Sequence, residues 1–436
     1  MKKIKFLSLL LAAATVFGSF SLVACDRENT MGIPNGDNTV NENPIETDSG
    51  KSNTTIPLTY DLPTDSFIVA QSNLAINMFK QSVSLREDNK NILISPLSVA
   101  LALAMTANGA SNDTLKEFEE LFGLSIEEIN AGFKAYVNNL PSSEDSKLHI
   151  ANSIWFRENG ISLYDDFIEA NKENFSAEIL QRAFDKSTVD EINAWVDENT
   201  DGMIDNLIDD IDVSVMMYLI NALVFDAKWE DQYSDYQVYE DEFTSFDGNI
   251  KKVNMMSSQE DLYINDGNAQ GFIKGYRDGY SFVALLPNEG ISVYDYIAEL
   301  DSRQLYGLIS NPQYRPVNVE LPQFKYEYSL YMADILKAMG LDRTFVGQEA
   351  DFSKMGVAAS NERLAVSRVL HKTVIELTQA GTKAAAVTAV EIVCESAEIP
   401  IIEPINVVLD RPFVYMIIDN NTDLPIFTGV VTDIEN

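Results

Sequence analysis

One segment near the C-terminal end, residues 371–412, constrains the fold more than any other part of the chain. Alternate residues from Thr382 to Cys394 are small or apolar, which is the pattern of a β-strand with one face in a core. The segment then continues through Glu395, Ser396 and two prolines, a composition typical of an exposed loop. Because the same residues have the pattern of a buried strand and the composition of a loop, we expect two conformations for one segment.

The residues around Gly381 join a predicted strand to this segment. Apolar side chains alternate between residues 369 and 377, which predicts a half-buried strand, and Gly381 lets the backbone bend freely. A run of mostly small or β-branched side chains follows: Thr382, Lys383, Ala384, Ala385, Ala386, Val387 and Thr388. Together with the flanking segments 366–372 and 411–413, this hinge resembles the hinge of inhibitory serpins.

The resemblance to serpins extends over roughly residues 66–432, through motifs in the family's order. Segment 91–105 joins a strand to a serine-proline helix start, segment 192–204 matches the helix that crosses the main sheet, and segment 218–229 matches a strand of that sheet. The resemblance implies an α+β fold. A helix cluster would surround a large mixed central β-sheet, with smaller sheets and an exposed reactive-centre loop.

The resemblance also implies two groups of site residues. Ser95, Ser98, Asn221 and His371 are expected at the shutter, beneath the opening of the central sheet, with His371 hydrogen-bonded to Asn221 and Ser95. Trp229 is expected at the breach, where the loop first enters the sheet. From the residues alone, His371 and Trp229 also fit ordinary core packing, and Ser95 also fits a helix cap.

The position of the reactive bond follows from the family's spacing. Counting forward from the hinge places the bond at Glu395-Ser396, whereas counting backwards from the Arg-Pro pair at 411–412 gives Ile401. We prefer the forward count because the hinge sets the depth of insertion. Glu395 would select a glutamate-cleaving protease, while bonds after Val393 and Cys394 would suit elastase-like or cysteine proteases.

The expected function is that of a suicide substrate. A serine protease, or alternatively a cysteine protease, would attack the loop and form an acyl-enzyme. The cut loop would then insert into the central sheet and distort the attached protease. The alternative is a non-inhibitory serpin-fold lipoprotein with a binding or structural role. Lys383 departs from the family's usual glutamate, but its side chain is expected to face solvent, and no bulky residue occupies the entering face of the hinge.

Catalysis, cofactors and several kinds of partner are not expected. The chain has two histidines and no HExxH or GxSxG sequence, so we expect no enzyme, and neither a metal site nor a phosphate-binding motif is predicted. Its formal net charge of −36 argues against nucleic acid, and the acidic helix predicted at 111–124 argues against a polyanion activator. We expect a monomer with a solvated acidic surface.

The N-terminal residues predict export and a lipid anchor. Basic residues precede an apolar run at 6–17, and the sequence Leu22-Val23-Ala24-Cys25 resembles a bacterial lipobox. The alternative is an ordinary signal with a chance cysteine. We expect a signal peptide at 1–24, a lipidated Cys25 with a disordered tether at 25–62, and a serpin domain at 63–436. The domain would be secreted across the inner membrane and lipid-anchored at the outer membrane, on the periplasmic or the cell-surface face, with Cys394 unpaired.

Overall fold

The computed structural model describes residues 66–86, 88–360, 362–382 and 403–435. The predicted signal peptide, the tether, Cys25, the hinge after Thr382 and the candidate reactive bonds from Val393 to Ser396 lie outside the described residues. All described residues belong to one compact unit, Leu58–Asn436.

Helices are concentrated in the first half of the described chain. They are α1 Ser66–Ser84, α2 Pro96–Ala107, α3 Asn112–Phe122, α4 Ile126–Asn139, α5 Asp165–Phe175, α6 Lys186–Asn199, α7 Val293–Glu299, α8 Ser302–Ser310 and α9 Ala333–Ala338. Among the described helices, none is long and apolar enough to cross a membrane.

Strands occupy much of the remaining described chain. They are β1 Ile92–Ile94, β2 Ser146–Arg157, β3 Ile161–Leu163, β4 Glu178–Arg182, β5 Met217–Lys228, β6 Val238–Thr244, β7 Ile250–Asn265, β8 Ala269–Gly275, β9 Tyr280–Pro287, β10 Gln313–Pro322, β11 Phe324–Tyr331, β12 Gly356–Ala358, β13 Leu370–Thr378, β14 Gly381–Thr382, β15 Ile405–Val408, β16 Phe413–Asp419 and β17 Pro425–Val431.

Within the described residues, most strands form two mixed sheets. The six-stranded sheet has the order β11-β13-β14-β5-β2-β4, and its last pair is parallel. The nine-stranded sheet has the order β1-β17-β16-β9-β8-β7-β10-β15, with β6 also paired to β7. A third sheet joins β3 and β12. The predicted α+β class, with helices around a mixed sheet and further sheets beside it, is confirmed.

Local sequence explains where the principal elements begin and how deeply they are buried. Pro96 opens α2, and the side chain of Ser95 accepts a hydrogen bond from the Ser98 amide at its start. Nearly every residue of α2 is buried, as its uniformly apolar sequence requires. The continuous apolar runs of β9, β16 and β17 are buried along their whole length. The acidic helix predicted at 111–124 is present as α3, which ends at Gly123 in the left-handed conformation.

Candidate functional site

The start of the predicted hinge lies between two strands of the six-stranded sheet. Thr382 of β14 pairs with Leu377 of β13 on one side and with Ala227 of β5 on the other. Both pairings are antiparallel, so β5 and β13 run parallel and β14 fills the space between their C-terminal ends. Gly381 has a φ of +150°, and a Cβ atom there would lie 2.1 Å from the Ala227 carbonyl oxygen. Glycine is therefore required at this position.

Hydrogen bonds hold these first hinge residues in the sheet. The hydroxyl groups of Thr382 and Tyr276 lie 2.6 Å apart, and both side chains are buried. The hydroxyl of Thr378 donates to the Gly381 carbonyl at 3.1 Å. Burial raises the pKa of Tyr276, so its phenol remains protonated and able to donate. The hinge thus enters the sheet with its first inward-facing hydroxyl satisfied.

Trp229 packs against the turn that precedes β14. Its indole is fully buried and stacks on Tyr276, with ring centroids 4.2 Å apart. Its backbone amide donates to the Ala380 carbonyl at 3.0 Å, and its Nε1 donates to the Thr378 carbonyl at 2.9 Å. The structure therefore places Trp229 in direct contact with the turn from which the loop departs.

His371 connects β13 to the start of α2. Its Nε2 accepts a hydrogen bond from the Ser95 amide at 3.1 Å, so Nδ1 carries the proton of the neutral ring. The Ser95 hydroxyl donates to the Ile426 carbonyl at 3.0 Å and accepts from the Ser98 amide at 3.2 Å. Burial lowers the pKa of His371 to about 4. These contacts bring together three of the four predicted shutter residues.

The fourth predicted shutter residue, Asn221, forms no hydrogen bond with the histidine in the described part of the chain. Its Nδ2 donates to Asn152 Oδ1 at 2.9 Å, and Asn152 in turn donates to the Phe175 carbonyl at 2.8 Å. Its Oδ1 is buried without a hydrogen-bond partner. The predicted bond between His371 and Asn221 is therefore wrong for this structure. The reason is that their strands, β13 and β5, share no hydrogen-bonded ladder in the part of the chain that the structure describes.

A cavity of about 970 Å³ lies beside the shutter. Its walls come from β5, β11, β13 and α2, and they include Ser98, Asn221 and His371 together with apolar side chains such as Leu219 and Leu330. The unpartnered Oδ1 of Asn221 belongs to a residue of this wall. The arrangement leaves polar groups and open volume between the two strands that β14 begins to join.

Two residues of this site were not found from the sequence. Tyr276 follows a lysine and a glycine at the end of β8, and nothing in that spacing indicates a contact with the hinge. Asn152 lies in a predicted strand, where its role in binding Asn221 depends on the register between β2 and β5. A polar residue in an otherwise half-buried strand was the one available signal.

Comparison with known proteins identifies the family. The family model described as "Serpin (serine protease inhibitor)" matches residues 69–434. Serpin A3-7 from Bos taurus is 31% identical over 384 residues, which cover 85% of this chain and 89% of the bovine protein. The protein named Iris from Ixodes ricinus is 30% identical over 385 residues, covering 83% of this chain and 97% of the tick protein.

Solved structures agree with this match. The native state of tengpin, a thermophilic serpin, is 45% identical, covers 86% of this chain and 96% of its own, and gives a TM-score of 0.80. The latent state of the same protein is 44% identical, covers 86% and 100%, and gives a TM-score of 0.76. The chain therefore belongs to the serpin family, whose members generally bind target proteases and are not catalytic enzymes.

Proposed function

We propose that this serpin inhibits proteases as a suicide substrate. A target protease would cleave the loop that follows β14 and remain attached to it as an acyl-enzyme. The cut loop would then extend β14 between β5 and β13 as a full strand. The observation that carries this proposal is the position of Gly381 and Thr382, which already pair with both strands at the end where insertion would begin.

The existing register supports insertion of the residues that follow. Continuing the two antiparallel ladders places Ala384 between Ile375 and Phe225, both of which are buried. Continued further, the same register places Thr388 between His371 and Asn221. The small inward face of the hinge would thus enter between buried residues of the two strands, and its last residue, Thr388, would lie beside the unpartnered Oδ1 of Asn221.

The energetics also favour a strand in this position. Each hydrogen bond added to the ladders contributes about 0.5–1.5 kcal/mol net. Apolar burial adds about 25 cal/mol for each Å² removed from water. A new strand could donate a hydrogen bond to the unpartnered Oδ1 of Asn221 and could fill part of the cavity beside it. Cleavage of the loop would release it to reach this lower-energy state.

The finer features of the inhibitor remain proposals from the sequence. The reactive bond is Glu395-Ser396, with the bonds after Val393 and Cys394 as alternatives, which would make glutamate-cleaving, elastase-like or cysteine proteases the targets. The domain would be a monomer that needs no polyanion activator. Cys25 would carry the lipid anchor after export, with the signal peptide at 1–24 and the tether at 25–62.

A panel of serine and cysteine proteases tests the proposal. We expect at least one of them to form a complex that survives boiling in detergent, and mass spectrometry of the released C-terminal fragment should show Ser396 at its start. A fragment starting at Cys394 or Glu395 would move the bond to an alternative position, and one starting at Ile402 would support the backward count. Cleavage of the loop by every protease without any stable complex would favour the non-inhibitory alternative.

A further inference from the structure

Lys274 is a buried lysine in strand β8. It lies near the end of β8, and its side chain is 2% exposed. An ammonium group loses its hydration when it is buried, so such a residue needs close partners to stay charged. Desolvation opposes the charged form of Lys274, but Tyr233 and Glu260 together raise its pKa above the ordinary value, so the ammonium remains charged.

The contacts of this ammonium are specific. Its Nζ donates to Glu260 Oε1 at 2.7 Å, and the Ser258 hydroxyl donates to the same oxygen at 2.6 Å. On its other side, Nζ lies 4.7 Å from the ring centroid of Tyr233 and 5.5 Å from that of Trp229. Both distances are within the range of cation–π attraction, which strengthens when the cation is desolvated.

The same two aromatic residues hold the turn that leads into β14. Trp229 donates to the carbonyl groups of Thr378 and Ala380, and the Tyr233 amide donates to the Gln379 carbonyl at 3.1 Å. Every residue of this turn, 378–380, therefore accepts a hydrogen bond from a residue whose ring faces the Lys274 ammonium.

We propose that Lys274 is a positioning residue for loop insertion, which fixes Trp229 and Tyr233 and through them the turn from which the hinge enters the sheet. The inference rests on the proposed inhibitory function for its kinetic consequence. A turn that is ordered before cleavage has already lost its conformational freedom, so insertion starts without that delay. Loosening the turn slows insertion, and more of the acyl-enzyme is hydrolysed before the protease is trapped.

The substitution Lys274→Met tests this role because methionine keeps a long unbranched side chain without the charge. The double variant Lys274→Met/Glu260→Leu removes the carboxylate that would otherwise be buried without a partner, and it serves if the single variant does not fold. Lys251→Met is the matched control, since Lys251 lies on β7 of the same nine-stranded sheet and pairs with Asp433, away from the turn.

Two measurements are made on each folded variant. Hydrogen exchange at the amides of Trp229 and Tyr233, without any protease, should be at least about tenfold faster when Lys274 is replaced and unchanged in the control. The number of inhibitor molecules consumed for each protease trapped should rise by about threefold or more. A residue that acts only on global stability would accelerate exchange at these two amides no more than at the other amides that exchange through global unfolding.

The two hypotheses fail separately. Unchanged exchange in both Lys274 variants overturns the positioning role, whether or not the protein inhibits a protease. Faster exchange with an unchanged consumption ratio also overturns it, because the turn would then not limit insertion. If the unmodified protein traps no protease, the proposed function fails, and the exchange measurement alone decides whether Lys274 orders the turn.

Discussion

At the scale of single residues, His371 shows how burial converts a titratable group into a structural one. The imidazole is neutral, accepts the Ser95 amide through Nε2, and has a pKa lowered to about 4 by burial. In the unfolded chain the pKa is near 6.5, so the unfolded state binds a proton at a pH where the folded state does not. His371 therefore contributes its full stabilisation only above about pH 6.5, the pKa of the unfolded chain.

This sign makes the free energy of unfolding fall as the pH drops from about 6.5 towards 4, with His371 contributing about 3 kcal/mol to the loss. Replacement by glutamine, which can accept the Ser95 amide but does not titrate, should remove this part of the pH dependence. Urea unfolding at neutral and acidic pH measures the difference. His149→Gln is the control because His149 is exposed on β2. Equal pH dependence in the unmodified and His371→Gln proteins would contradict the prediction.

At the scale of secondary-structure elements, the size and charge of the Thr382 side chain should decide whether the loop can insert as a strand. It is buried in β14 between β13 and β5, and its hydroxyl is bonded to Tyr276. Thr382→Arg would bury a charge at the entry to the sheet, so we expect the protein to become a substrate, with stable complex reduced at least about tenfold. Thr382→Ser keeps the hydroxyl and should retain inhibition.

The two Thr382 variants are compared by gel electrophoresis after reaction with a protease that the unmodified protein traps, which measures the amounts of stable complex and of cleaved inhibitor. Full trapping by the arginine variant would show that the loop does not enter the sheet through β14.

Lys383 gives a second test of the strand. The register of β14 would place it opposite Glu376 of β13 and Asp226 of β5, on the face opposite Thr382. Facing pairs of opposite charge contribute about 0.2–1 kcal/mol, so Lys383→Glu should slow trapping by about two- to fivefold. Adding Asp226→Lys should restore the rate, whereas Asp226→Lys alone should slow it. Rates measured by stopped-flow fluorescence decide, and additive effects of the two changes would rule out this register.

At the scale of the whole molecule, the predicted lipid anchor and tether bear on where the protein would act. The tether predicted between Cys25 and the domain would let the loop reach proteases away from the membrane surface. A single acyl chain binds a membrane only marginally, so stable anchoring needs more than one chain or a second membrane-binding signal. The lipid proposed on Cys25 would supply the membrane affinity here.

Cys25→Ala tests the anchor. We expect the variant to be released into the soluble fraction or to remain unprocessed, while the unmodified protein partitions with membranes. Immunoblotting of membrane and soluble fractions measures both outcomes, and the isolated domain should inhibit its protease equally well with and without the change. Unchanged membrane partitioning of Cys25→Ala would argue against lipid on this residue.

The α+β class was predictable from the sequence because the resemblance to serpins that implies it rests on motifs that are local along the chain. Of the segment that follows the hinge glycine, the structure describes Thr382, which pairs with Gly381 in β14, so the strand that the alternation beyond it predicts stays a prediction. The serine-proline start of α2 was an equally local signal.

Contacts between distant strands were decided only by the tertiary structure. The bond expected between His371 and Asn221 requires β13 and β5 to meet, and the described structure instead leaves a cavity beside both residues. Lysine is a residue type that usually lies on the protein surface. The burial of Lys274 against Trp229 and Tyr233 depends on how β8 packs against the residues that follow β5. Sequence patterns report which face a residue takes, whereas the partners on that face depend on register and on the separation of strands far apart in the chain.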